Sequence, residues 1–121
     1  MTWENTVIIV RGDSHFCSKE LMDWCAKRQN IRFITGLTGN SVLNSKVKYL
    51  VESCQNEFDR YGKPVKRYHS FSYQAGSWAN QQRVIAKIEV SFNGINIRFI
   101  VTDLWEYRTK ALYEQGYCGR G

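Results

Sequence analysis

Residues 84–101 read VIAKIEVSFNGINIRFIV, and this stretch decides the second half of the fold. Apolar side chains occupy every second position as far as Phe92 and again from Ile95 onward. Strict alternation is typical of a strand with one buried face. Asn93-Gly94 lies between the two runs and is a strong hairpin signal, because both positions tolerate positive φ. The stretch therefore predicts two antiparallel strands, within an antiparallel sheet that fills the second half of the chain.

The N-terminal part has a different pattern. Residues 6–11 form a β-branched apolar run that ends at Gly12-Asp13, which predicts a strand buried on both faces. Residues 31–35 predict a second strand, and the helix between the two should close near Asn30. Strand, helix and strand in sequence predict two parallel strands. Ser18 can cap that helix, whose predicted apolar face is Leu21, Met22, Trp24 and Cys25.

A second helix is predicted from about residue 41, capped by Asn40 or Ser41 and ended by Gly62-Lys63-Pro64. Its apolar positions follow helical spacing: they are Leu43, Val47, Leu50, Val51, Cys54 and Phe58. A short helical pattern begins again at Ala111. The predicted fold class is α/β, in the mixed α+β sense. It has three parts: strand–helix–strand over residues 1–37, a helix plus antiparallel sheet over 38–110, and the start of a final helix over 111–121.

Length and composition predict one globular domain, since the 121 residues are 43 % apolar and 23 % charged. No secretory signal is visible, and the apolar run over residues 7–10 is too short to cross a bilayer. We therefore expect an intracellular protein without a membrane partner. The four cysteines show no C-x-x-C spacing. Reduced core thiols are favoured over a zinc site or disulfides.

The formal net charge of +6 favours a polyanionic partner, with nucleic acid ahead of an acidic membrane. Four cations cluster around Tyr61 and Tyr68 and suit a nucleic-acid backbone and its bases: they are Arg60, Lys63, Lys66 and Arg67. The alternative for these cations is a solvated loop and edge strand. Trp78 precedes the hairpin and either covers the edge of the core or stacks on an unpaired base; the sequence favours the core edge.

Two aspartates follow predicted strands. Asp13 ends a parallel strand, where α/β folds place their ligands; the alternative is that its side chain caps the next turn. Asp103 ends the last strand and could share divalent metals with Asp13, although it belongs to the antiparallel half. His15 and His69 have no partner at metal-ligand spacing. No Ser/His/Asp order, Walker loop or dinucleotide glycine fingerprint is present.

Four stretches in order resemble the DDE transposases of bacterial insertion sequences, a family whose catalytic core has an RNase H-like fold. The resemblance runs nearly end to end. The stretches are VIIVRGDSHFC (7–17), ELMDWC (20–25), SW (77–78) with RVIAKIE (83–89), and RFIVT (98–102) with ALYEQGYCGR (111–120).

The resemblance implies metal-dependent DNA strand cleavage and strand transfer, with two Mg²⁺ or Mn²⁺ ions held by two aspartates and a glutamate. Asp13 matches the second aspartate, and Tyr117 and Arg120 match residues that hold the transposon-end strand. Residues 1–37 then correspond to a segment of the RNase H-like core and 111–121 to the start of the final catalytic helix. Residues 38–110 correspond to an insertion that contacts DNA, in which Trp78 is the candidate to stack on a flipped base.

The other two family carboxylates have no counterpart in these 121 residues. We therefore expect a transposase fragment that is inactive as an enzyme by itself and lies in the bacterial cytoplasm, associated with the nucleoid. Its expected partner is DNA at transposon ends, with self-association or pairing with an intact transposase as a further option. One alternative is a non-catalytic DNA-binding or interaction module derived from a transposase. Another is an independent metal nuclease that uses Asp13 and Asp103.

Overall fold

The computed structural model describes residues 8–28, 30–105 and 107–117. Its elements follow one another in a mixed α and β order, which confirms the predicted fold class. In chain order they are β1 (Ile8–Gly12), a 3-10 turn (Ser14–Phe16), α1 (Lys19–Ala26), β2 (Ile31–Leu37), α2 (Ser41–Tyr61), β3 (Val65–Tyr73), β4 (Gln82–Ser91), β5 (Gly94–Thr102), α3 (Thr109–Ala111) and a π-helical segment (Leu112–Tyr117). Among these described residues, no helix has both the length and the apolar character needed to span a membrane.

The strands form one mixed five-stranded sheet in the order β1-β2-β5-β4-β3. β1 and β2 are parallel, as predicted, with Gly12 opposite Thr35. β2 also pairs antiparallel with β5, from Ile34 opposite Thr102 to Leu37 opposite Phe99. The strand–helix–strand segment and the antiparallel segment therefore share one continuous sheet.

The first helix begins as predicted, because the Ser18 hydroxyl accepts a hydrogen bond from the Leu21 N–H at 3.1 Å. Met22 and Cys25 are buried, but the helix ends at Ala26, before the predicted Asn30. The prediction that Trp24 faces the core is wrong: its side chain is 43 % exposed. Successive helical residues are rotated by about 100°, so Trp24 lies on the opposite side of the helix from Met22.

The second helix is capped by Asn40, whose Oδ1 accepts a hydrogen bond from the Leu43 N–H at 2.9 Å. Gly62 ends it with a φ of 68° and donates its N–H to the Phe58 carbonyl. The predicted apolar face is confirmed: Leu43, Val47 and Cys54 are buried, and Leu50, Val51 and Phe58 are half-buried. This face packs on the sheet through β3 and β4.

The hairpin is confirmed, but its turn differs in detail from the prediction. Ser91 pairs with Gly94, so the two turn residues are Phe92 and Asn93. Among the described non-glycine residues none has a positive φ, whereas Gly94 has a φ of 107°. The glycine thus provides the unusual backbone angle at the start of β5, and Asn93 keeps an ordinary one.

The prediction that the first strand is buried on both faces is wrong, since Ile8 is 43 % exposed and Ile9 is also exposed. β1 is the edge strand of the described sheet, so it has fewer neighbours than β2. The central strands are instead covered on both faces. One face carries α1 and α2, and the other carries Leu104, Leu112 and Tyr113, which pack on Ile34, Ile85 and Ile100.

Arg83 is 5 % exposed and holds the connection between β5 and α3 against the sheet. Its Nη1 donates to the Leu104 carbonyl at 2.7 Å and to the Tyr107 carbonyl at 2.8 Å. Its Nε donates to the Ser70 hydroxyl, and its Nη2 donates to the Thr109 hydroxyl. One buried side chain therefore fixes where the final helical segment, residues 109–117, begins.

We predict that Arg83→Met lowers the free energy of unfolding by about 2–4 kcal/mol, because two carbonyls and two hydroxyls lose a buried donor. Arg108→Met removes an exposed arginine nearby and should change it by no more than about 0.5 kcal/mol. Urea unfolding followed by tryptophan fluorescence measures both variants. Equal midpoints for Arg83→Met and the parent would show that this network does not hold the connection.

Candidate functional site

One cleft lies where β2 ends at Leu37 and β5 continues beyond it, back to Gly94. Its volume is about 630 Å³. It gathers residues from the ends of β1 and β2, from the hairpin and from the final helical segment. They are Asp13, Ser14, Gly36, Leu37, Thr38, Gly39, Lys87, Asn96, Ile97, Arg98, Phe99, Tyr113 and Tyr117.

Asp13 directly follows β1 and lines this cleft, with 65 % of its side chain exposed. Its Oδ1 accepts a hydrogen bond from the His15 N–H at 3.0 Å and lies 3.3 Å from the His15 Nδ1. Both predicted roles are therefore compatible, because the side chain caps the short turn and also faces the cleft. Both contacts with His15 are made by the Asp13 Oδ1. Within the described part of the chain, the Asp13 Oδ2 stays available to a ligand.

Tyr117 reaches the same cleft and lies next to Asp13. A methyl group placed on Gly36 would lie 2.9 Å from the Tyr117 hydroxyl oxygen, 3.0 Å from the Ser14 nitrogen and 3.3 Å from the Asp13 carbonyl carbon. The Tyr117 hydroxyl thus rests against β2 at the point where the chain leaves β1. Glycine at position 36 allows this close approach, which brings two predicted site residues together.

Asp103 does not join Asp13 in this cleft. Its Oδ1 accepts a hydrogen bond from the Phe33 N–H at 2.9 Å and pairs with the Arg32 Nε at 3.4 Å. Burial raises the pKa of Asp103, although the Phe33 N–H and Arg32 act to lower it. Phe33 lies three residues before Gly36, which is about 10 Å along β2. The structure therefore gives no support to a metal site shared by Asp13 and Asp103.

Asp13 fits the requirement of a divalent metal for a hard oxygen ligand, but only as one ligand. Over residues 8–28, 30–105 and 107–117, no three His, Cys, Asp or Glu side chains come together. The His15 Nδ1 already contacts the Asp13 Oδ1, and the His69 ring packs against Tyr49 and Phe71. A complete metal site therefore needs further ligands besides those that the described residues bring to Asp13.

The predicted DNA-binding cations lie away from the Asp13 cleft. Arg67 donates from Nη2 to the Glu57 Oε1 at 2.5 Å, so a carboxylate already faces its charge. Lys66 lines a smaller cleft of about 320 Å³ with Tyr68 and Lys110. Lys63 is exposed just after α2. Lys66 and Arg67 lie on β3, an edge strand of the described sheet, and their side chains point to opposite faces of it.

Trp78 is 8 % exposed and packs edge-on against Tyr73, with ring centroids 5.4 Å apart. Its carbonyl accepts a hydrogen bond from the Gln74 amide at 2.8 Å. It therefore covers the edge of the core, the alternative that the sequence favoured. Base stacking by Trp78 stays a prediction and would require this loop to open. Arg120 lies outside the described residues.

Cys17, Cys25 and Cys54 are free thiols, and burial raises the pKa of each. Neutral thiols at these positions agree with the predicted reduced core cysteines. The fourth, Cys118, lies outside the described residues.

Sequence reasoning missed Lys87 and Arg98, which the structure adds to the cleft. Both occupy polar positions of the alternating hairpin, where a solvated face was the simpler interpretation. The available signal was the register: with the turn at Phe92-Asn93, the two cations stand directly opposite each other. Their relation to Asp13 could not be read from the sequence, because it depends on the pairing of β2 with β5.

An exposed carboxylate, two cations and two tyrosines therefore line one cleft at the carboxyl end of a parallel strand, where α/β folds place their ligands. The model of the family described as transposase DDE domain group 1 matches residues 1–121. The chain belongs to this family of DDE transposases, as its sequence stretches predicted. No curated protein and no solved structure is similar enough to the chain to count as a match.

We predict that Gly36→Ala lowers the free energy of unfolding by about 1–3 kcal/mol, because its methyl group would overlap the Tyr117 hydroxyl and the Ser14 backbone. Tyr117→Phe removes one of the two clashes. The double variant should therefore recover at least about 0.5 kcal/mol relative to the sum of the single changes. Urea unfolding of the four proteins measures this coupling. Strict additivity would mean that Tyr117 does not rest on Gly36.

Proposed function

We propose that the Asp13 cleft is the part of a transposase active site that this chain contributes. Asp13 provides one of the carboxylates that hold a divalent metal, and Tyr117 contacts the DNA strand at a transposon end. The observation that carries the proposal is the meeting of Asp13 and Tyr117 over Gly36. Each residue was selected from its own sequence stretch, and the pairing of distant strands brings them into one cleft.

DDE transposases use divalent metal ions, and we propose Mg²⁺ or Mn²⁺ at Asp13. When bound, such ions activate the attacking hydroxyl and stabilise the leaving oxygen of the phosphodiester. This chain's own contribution is more limited. The His15 N–H holds the Asp13 Oδ1, which orients the carboxylate and leaves Oδ2 for the metal.

DNA is the proposed partner. The net charge of +6 favours a polyanion, and Arg120 follows Tyr117 at the spacing found in the bacterial insertion-sequence branch. Lys63, Lys66 and Arg67 provide a second contact with the DNA backbone. We propose that the chain acts at the bacterial nucleoid, where self-association or pairing with an intact transposase would bring further carboxylates to the site.

A second candidate function is favoured by one specific observation. Among the described residues that line the cleft, Asp13 is the only acidic one. A chain with this site could bind transposon ends without cutting them, and so act as a non-catalytic DNA-binding module. Mn²⁺ binding at Asp13 distinguishes the two functions, because only the first of them requires a metal there.

We predict that the 121-residue chain binds Mn²⁺ at Asp13 with an affinity of about a millimolar, because a single carboxylate leaves most of the coordination sphere to water. Paramagnetic broadening of the amide signals of Asp13, Ser14 and Gly36 measures this binding. Asp13→Asn should abolish the broadening, whereas Asp23→Asn, on α1, should not change it. In the same buffer, supercoiled plasmid should stay intact.

Three results would contradict this account. Micromolar Mn²⁺ binding that Asp13→Asn abolishes would show a complete metal site within the chain. Nicking of the plasmid, lost in Asp13→Asn, would show that the chain is a self-sufficient nuclease. Broadening that is the same in the parent and in Asp13→Asn would remove Asp13 from the metal site.

We predict that Lys63→Ala with Lys66→Ala makes the plot of log affinity for duplex DNA against log salt less steep by roughly 1.8, at about 0.9 per phosphate contact. Adding Arg67→Ala should flatten it by less than a further 0.9 or so, because Glu57 already pairs with Arg67. Fluorescence anisotropy over a range of KCl concentrations measures the slope. An unchanged slope in all variants would mean that these charges only solvate the loop and strand.

A further inference from the structure

We propose that Lys87 and Arg98 form a binding site for a backbone phosphate of DNA, on the hairpin side of the Asp13 cleft. The inference rests on the proposed function, in which DNA enters this cleft, and it adds the residues that would hold the strand there.

The register of the hairpin places the two cations together. Lys87 on β4 stands directly opposite Arg98 on β5, so both side chains project from the same face of the sheet. Like charges directly opposite each other destabilise an antiparallel pair. The next pair along the same face is Glu89 opposite Asn96, which avoids this repulsion. A doubly cationic pair at the cleft is therefore an unfavourable arrangement unless an anion lies between the two side chains.

The neighbours of the pair neutralise only part of its charge. The Lys87 Nζ lies 3.9 Å from the Glu89 Oε1 and 5.9 Å from the Tyr113 ring centroid. Arg98 is exposed, and in the portion of the chain that the structure describes no carboxylate pairs with it. One carboxylate for two cations leaves this part of the cleft positive. By contrast, Lys19, Arg32 and Arg67 each have their own carboxylate.

Phosphate is the anion that this pair fits best. An arginine offers a planar fork of donors that matches two phosphate oxygens, and a lysine beside it adds a compact charge. Asn96 lines the same cleft and adds an amide donor. The volume of about 630 Å³ lies in the usual range for a ligand site.

The pair also answers a difficulty in the proposed function. The Asp13 carboxylate repels the phosphodiester that it must approach. Lys87 and Arg98 line the same cleft as Asp13. Their positive charge therefore offsets this repulsion even when no metal ion is bound. DNA would thus be attracted to the cleft through the hairpin.

The test compares Lys87→Gln with Arg98→Gln, made together, against a control that loses the same charge elsewhere. Lys27→Gln with Lys48→Gln serves as the control, because both lysines are exposed and lie outside the cleft, Lys27 directly after α1 and Lys48 on α2. Binding of a short fluorescein-labelled DNA duplex is followed by anisotropy over a series of KCl concentrations. The cleft variant should flatten the slope of log affinity against log salt by about 1.8, and the control should keep the parent slope.

Thermal unfolding provides the second measurement and checks that the variants fold. A single cooperative transition in low-salt buffer shows that a variant folds. Added inorganic phosphate should raise the Tm of the parent more than that of the cleft variant. An equal phosphate effect on the Tm of the parent and of the cleft variant would overturn the anion site.

The outcomes separate this inference from the proposed function. If the parent binds DNA and the cleft variant behaves as the control does, the phosphate site is wrong and DNA binding stands. If the parent binds no duplex at the lowest salt concentration, the proposed function fails for this chain, and the inference fails with it.

Discussion

The antiparallel pairing of β2 with β5 is the constraint on which the rest of the structure depends. It joins the parallel strands at one end of the sheet to the hairpin at the other. Two side-chain contacts hold it at its edge: the Thr102 hydroxyl donates to the Phe33 carbonyl at 2.7 Å, and Asp103 accepts from the Phe33 N–H. Without this pairing, the end of β1 would have no fixed position relative to the hairpin.

The cleft is a geometric result of unequal strands. β2 ends opposite Phe99, whereas β5 extends back to Gly94 and stays paired with β4 alone over residues 94–98. The cleft beside β5 is lined on one side by Asp13 and on another by the final helical segment. Arg83 fixes the start of that segment from inside the sheet, so a buried cation without chemistry of its own determines where Tyr117 lies.

Local signals predicted the local structure. The alternation of apolar and polar residues predicted the hairpin, and the capping residues Ser18 and Asn40 predicted where α1 and α2 begin. The predictions failed where packing against neighbouring elements decides the outcome. Trp24 is exposed, the first strand is an edge strand, and the hairpin turn lies at Phe92-Asn93. The site divides in the same way. Asp13 and Tyr117 came from a family resemblance, but Lys87 and Arg98 required the register of a sheet whose paired residues lie far apart in the chain.

The long separation between β2 and β5 also orders the events of folding. The hairpin strands are connected by only two turn residues, whereas Ile34 and Thr102, which pair between β2 and β5, are separated by more than half of the chain. Local pairs form fast, and a long loop closes at a higher entropic cost. We therefore expect the hairpin early and the closure of the sheet late. Because the cleft exists only at that closure, its residues meet last, and a partly folded chain would carry the charges of the site without its shape.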